Sequence, residues 1–113
     1  MESELFTLLK AICPRVYPDI APTNTVRPYV TWQQIGGEVI NPLANEAPGK
    51  RNASMQVNVW SDTRTEAISL IKQIEDGMRG ATAFIARPQT APLNDYDHDM
   101  LVYGSQQEFS IWY

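Results

Sequence analysis

The stretch ASMQVNVWSDTRTEAISLIKQIEDGMRG, residues 53–80, decides the fold. Its first eight residues alternate. Ala53, Met55, Val57 and Val59 fall on one side of an extended chain, and Ser54, Gln56, Asn58 and Trp60 on the other. The period then changes. Thr63 followed three residues later by Glu66 is a capping box, and Ala67, Leu70, Ile71, Ile74 and Met78 recur at helical spacing to form one apolar stripe. Gly80 is placed to stop the helix. A half-buried strand therefore leads through a polar cap into an amphipathic helix.

Upstream, YVTWQQIGGEVI (29–40) is rich in β-branched and aromatic residues and reads as a strand, with Gly36-Gly37 as a bulge or bend. NPLANEAPGKRN (41–52) holds Pro42, Pro48 and Gly49 without periodicity, so it reads as a long polar loop closing an extended hairpin. Such a loop is expected to be mobile in the free protein and to order against a neighbour. Residues 3–13 read as a short helix, capped by Ser3, with Leu5, Leu8, Leu9 and Ile12 on one face and Pro14 as its stop. Pro14, Pro18, Pro22 and Pro28 punctuate the segment between this helix and the first strand, which reads as an irregular crossover.

Downstream, 81–87 reads as a strand and 89–99 as a loop. Residues 100–113 read as a long last strand with Gly104 as a bulge. The expected order is α-β-β-α-β-β. This predicts an α+β fold in one domain over 1–113, an antiparallel sheet of about four strands with two helices packed on one face.

Composition bounds the function. With 43% hydrophobic and 19% charged residues, the chain has the balance of a folded protein. Its one cysteine, Cys13, excludes an internal disulfide and suits a reducing compartment. No apolar run approaches the ~20 residues of a membrane span, and the acidic start MESELF is unlike a signal peptide. Of the net charge of −4, residues 1–87 contribute nothing, because nine acidic and nine basic residues cancel there. The imbalance lies in Asp95, Asp97, Asp99 and Glu108, a segment without Lys or Arg. Only Lys50-Arg51 are adjacent cations, so electrostatic capture of nucleic acid is disfavoured.

The one constellation that could carry chemistry is DYDHD, residues 95–99. Asp95, Asp97 and Asp99 could offer oxygens to a hard cation, and His98 could be a ligand or general base. The later Gly104 and Glu108 stand at the wrong spacing for a calcium loop, and no second histidine or cysteine completes a zinc set. A solvated turn before a strand is the simpler reading. Cys13 reads as a buried structural residue, and Gly36-Gly37 lacks the spacing of a phosphate loop. No catalytic residue, cofactor site or metal site is assigned. The bulky side chains are less easily absorbed. Trp60 lies on the polar side of its strand and Trp112 opposes Phe109, Ile111 and Tyr113, so both faces of the sheet need cover. Lys50, Arg51, Trp60 and Trp112 are the candidate subunit or partner contacts.

Three stretches in order, RPYVTWQQIGGEV, MQVNVWSDTRTEAISLIKQIEDGMR and DYDHDMLVYGSQQEFSIWY, resemble the tail completion (tail terminator-like) proteins of long-tailed bacteriophages and prophages. In that family a V-x-V-W-like strand leads through a polar cap into a helix, and the chain closes on a D-Y-x-x-D turn and an F-S-I-W-like strand. The resemblance implies a structural protein without catalytic residues. It would form a ring, typically a hexamer, at the head-proximal end of the tail tube. Its partners would be itself, the tail tube protein and the head-closure or connector protein, with DNA passing through the lumen. It would reside at the tail-head junction of the virion and, during assembly, in the host cytoplasm. Two alternatives stand beside it: a small metal-dependent enzyme using Asp95, Asp97, His98 and Asp99, and another phage neck or tail-tube component.

Overall fold

The computed structural model describes residues 1–43 and 48–113. Its elements are α1 (Glu2–Ile12), β1 (Val16–Pro18), β2 (Tyr29–Gly36), β3 (Asn52–Ser61), α2 (Arg64–Arg79), β4 (Ile85–Pro88), β5 (Leu93–Asp97) and β6 (Val102–Trp112). The α+β class holds, with both helices on one face. The sheet has six strands rather than four, in the order β1-β2-β3-β6-β4, with β5 also on β6. It is mixed rather than antiparallel, because β1 pairs parallel with β2 through Val16↔Val30 and Pro18↔Trp32.

The central ladder is the one that the alternation at 53–60 anticipates. Ala53, Met55, Val57 and Val59 are fully buried, and β6 brings Ile111, Phe109, Gln107 and Ser105 opposite them. On β2, Val30 and Trp32 join the same face. Over this face lie Ala67, Leu70, Ile71, Ile74 and Met78 of α2 and Leu5 and Leu9 of α1. Burying such side chains contributes about 1.5–3 kcal/mol each before chain entropy is subtracted. Gly77 lets α1 approach closely: a Cβ there would stand 3.3 Å from Ile12 Cδ1.

Two strands lie where turns are expected. β1 follows Pro14 and ends on Pro18, too short to show a period, and is recruited by the edge of β2. β5 reads LNDYD, a turn composition, yet Leu93↔Gln106 through Asp97↔Val102 forms a regular ladder. Strand propensity yields here to pairing with a long neighbour. β4 and β5 thus lie end to end along one edge of β6.

Other boundaries shift. Residues 37–40 and 81–84 are not strand, and β6 begins at Val102. Met1 rather than Ser3 stands at the start of α1. Gly80 ends α2 in the right-handed region, without a left-handed turn. Gly104 is not a bulge, since the β3–β6 register runs unbroken from Asn52↔Trp112 to Ser61↔Tyr103. The expected irregularity near Gly36-Gly37 is divided: the bulge falls at Ile35, where the register shifts between Gln34 and Gly36, and the two glycines make the bend that ends β2. The expectation of a mobile 41–52 loop falls partly on 44–47, which lie outside the described residues.

Candidate functional site

The register sorts the candidate residues into two groups. Trp60 pairs with Tyr29 on one side and Gly104 on the other. Asn52 pairs with Trp112 eight residues away along the same strand, and Lys50 and Arg51 lie just beyond it. At about 3.4 Å per residue this separates the two groups by nearly 30 Å. The described residues extend 52 × 26 × 24 Å, so the groups mark opposite ends of a long molecule.

At the first end, Trp60 is half-buried. Its ring stacks on Tyr29 with centroids 6.3 Å apart, and its Nε1–H donates to Thr31 Oγ1 at 3.4 Å. Burial of Tyr29 raises its phenol pKa above the ordinary value, against a smaller opposing effect of the Arg27 charge. The sheet face away from the helices is otherwise polar here: Asn58 Nδ2 also reaches Thr31 Oγ1, at 3.4 Å. Residues 19–27 fold beside this face and leave a groove of about 560 Å³ lined by Ile20, Pro22, Tyr29, Trp60 and Met100.

The DYDHD stretch borders the same end, its first three residues closing β5 and Asp97 forming the turn that follows. Asp97 Oδ1 accepts from the backbone N–H of Asp99 at 2.9 Å and of Met100 at 3.1 Å, while Asp95 Oδ1 accepts from Tyr96 N–H at 2.7 Å. His98 meets the Tyr96 ring edge-on at 4.9 Å. Leu101 follows with a positive φ of 52°. Among the described residues no group of three or more His, Cys, Asp or Glu is arranged to hold a metal ion. Arg27, which sequence reasoning passed over, ties the turn down. Its guanidinium donates to Leu101 O at 3.0 Å, Met100 O at 2.8 Å and Asp62 Oδ1 at 3.0 Å. Nothing local could have flagged it, since its partners lie 35 to 74 residues away.

At the second end, the chain leaves β2 through Gly36 and Gly37, with φ of 144° and 146°. A Cβ on Gly37 would meet Asn52 O at 2.5 Å, so the close crossing requires glycine. Asn52 secures the crossing. Its Oδ1 accepts from Glu38 N–H at 2.8 Å, and its Nδ2 donates to Ser110 Oγ at 2.9 Å and Ile111 O at 3.2 Å. Arg51 and Tyr113 exchange backbone hydrogen bonds of 2.7 and 3.0 Å. Lys50 and Arg51 are exposed, and Trp112 is half-buried on the polar face opposite Asn52. Beyond this root an arm carries Val39, Ile40 and Leu43 into solvent. Cys13 is buried, its Sγ 3.6 and 3.7 Å from the carbonyls of Pro28 and Arg15. No helix among the described residues is long and apolar enough to cross a membrane.

Comparison with known proteins accords with this architecture. No curated protein matches the chain. Among solved structures, a chain described as "Virion of native gene transfer agent (GTA) particle" has a similar fold, with a TM-score of 0.62 at 14% identity. The alignment covers 98% of this chain and 89% of that one. A family model described as "Tail completion protein gp17" matches residues 2–113. With nearly its whole length matched, the chain belongs to that family of bacteriophage structural proteins.

Proposed function

We propose that this protein caps the head-proximal end of a phage tail tube and takes part in joining tail to head, as a ring-forming structural component rather than a catalyst. The observation that carries this reading is family membership over residues 2–113. The similar fold of a chain in a gene transfer agent virion supports it. So does the surface: large apolar side chains stand exposed at both ends of an elongated subunit, as in a component that is completed by neighbours. The partners are other copies of itself, a hexamer in the family pattern, together with the tail tube protein below and the head-closure or connector protein above. The protein works in the virion at the tail-head junction, after synthesis in the host cytoplasm. DNA passes through the ring without being held, in keeping with a net charge of −4 and scattered cations.

The turn-forming role of Asp97 argues against the metal-enzyme alternative, since its Oδ1 is already taken by two backbone amides. The deciding experiment is electron microscopy of particles made with and without this gene. Unjoined heads and tails, restored by supplying the gene in trans, are expected; normal particles without it would overturn the reading. Metal analysis of the purified protein should find no stoichiometric ion.

A further inference from the structure

The exposed apolar residues gather at the two ends. On the arm, Val39 is 80% exposed and Leu43 wholly so, with Ile40 and the bulged Ile35 beside them. At the opposite end Ile20 is 82% exposed, and Val26, Met100 and Leu101 are each more than half exposed. The two ends differ in shape. One is a projection rooted by Asn52 and Gly37; the other holds the groove of about 560 Å³ beneath residues 19–27. They differ in charge as well. Exposed Lys50, Arg51 and Arg87 lie at the arm end, with Glu38 among them. Asp19, Asp95, Asp97 and Asp99 are exposed around the groove end, with Arg64 beside Asp95 as the one exposed cation among them and Asp62 already paired with Arg27.

We infer that the arm of one copy seats Val39 and Leu43 in the Ile20–Trp60–Met100 groove of the next, with Lys50 and Arg51 brought toward the aspartates at the groove's border. Shape, apolar character and charge all match between ends of the same chain, so the occupant is a second copy. Donor and acceptor are different patches. The contact is therefore heterologous, and repeated with a closing rotation it produces a ring. An aliphatic anchor in a pocket lined by Trp and Tyr is the arrangement that concentrates binding energy at interfaces, and the charges at its border govern encounter rate and salt dependence. This deepens the ring reading and rests on it only for closure of the chain of contacts. Arg27 gains a role: by holding Met100 and Leu101 it keeps the acceptor groove open on one side.

The test uses the full chain carrying Leu43→Cys and Met100→Cys, exposed positions that leave the core untouched, while Cys13 stays buried. Near-ultraviolet circular dichroism checks that each variant folds. Mild oxidation at the highest soluble concentration should yield a ladder of linked oligomers. A mixture of the two single variants should yield dimers, and either single variant alone far fewer. Lys50→Glu with Arg51→Glu should suppress the ladder, and pairing that chain with one carrying Asp95→Lys and Asp99→Lys should restore dimers. A folded double-cysteine chain that gives no ladder, or that links to a different virion protein in assembled particles, overturns the inference. Particles that join normally while no copy-to-copy link forms would sink this contact yet leave the tail-joining role intact. A ladder from a protein whose loss leaves particles normal would do the reverse.

Discussion

Trp60 lies against Gly104, its cross-strand partner: a Cβ on that glycine would stand 3.4 Å from Cζ3 and 3.5 Å from Cε3 of the ring. The missing side chain is what lets a tryptophan settle on the sheet face without helices. Gly104→Leu should lift the ring and cost about 1–3 kcal/mol, the usual range for overpacking. Gly104→Ala, at the border of ordinary contact, should be close to neutral, because removing a strand glycine offsets the crowding. Urea unfolding and the near-ultraviolet signal of Trp60 check both. Unchanged stability and signal in the leucine variant would show that the ring packs elsewhere.

Gln107 sits in the apolar ladder, yet its Nε2–H bridges from the sheet to α2, donating to Glu75 Oε1 at 2.7 Å and to Thr90 O at 2.9 Å. The Gln107 hydrogen bond is the main reason the Glu75 carboxyl is held below its ordinary pKa, with Arg79 adding to it against the smaller effect of burial. A depressed carboxyl pKa gives stability that is present above the ordinary glutamate value. That stability is lost as pH falls through the lowered folded value. Gln107→Leu should therefore raise the Glu75 pKa, read by carbon NMR of its carboxylate, and flatten the acid limb of Tm against pH. A Glu75 pKa that stays put would break the link.

The start of α2 uses a relay in place of a reciprocal capping box. Thr63 Oγ1 accepts from Glu66 N–H at 3.2 Å, but Glu66 Oε1 accepts a hydrogen bond from the Ser61 hydroxyl at 2.6 Å, and that hydroxyl accepts from Thr63 N–H at 3.2 Å. Thr63→Ala should cost about 1 kcal/mol, as cap losses do. Ser61→Ala should also destabilise the fold, and the two losses should couple in a double-mutant cycle, since they share Glu66. Denaturant titration of the four proteins measures the coupling. Strict additivity would mean that the hydroxyl of Ser61 is a bystander.

The arm root makes a separable prediction. Asn52→Ala removes the acceptor of the Glu38 amide but leaves the β3–β6 backbone ladder in place. Hydrogen exchange at Glu38 should accelerate while Val57 and Val59 remain protected. Gly37→Ala should be the harsher change, with backbone strain of order 1–3 kcal/mol at a positive φ added to the clash with Asn52 O. Slow exchange at Glu38 in the Asn52→Ala protein would show that the side chain does not secure the arm.

The elements legible in the amino-acid order are those whose signals are local. The alternation at 53–59 and the helical stripe from Ala67 to Met78 appear in the fold as written, because a strand's period of two and a helix's of 3.6 leave periodic marks once one face is buried. The cap residue Thr63 and the bend at Gly36-Gly37 were legible for the same reason. The ordered set of three stretches was enough to place the family, since it preserves how strand, cap, helix and closing strand follow one another. Long-range packing set the rest. Residues 16–18 and 93–97 become strands only because β2 and β6 present unpaired edges, a cause that lies far along the chain from its effect. Arg27 becomes a clamp on a turn more than 70 residues away, and DYDHD, which reads as a site when its letters stand together, is divided between the end of β5 and the turn after it, where Asp97 accepts from the backbone that follows. The division of Lys50, Arg51 and Trp112 from Trp60 is likewise a property of the sheet. Strand register carries them to opposite ends of a 52 Å molecule, and no count of sequence separation contains that distance.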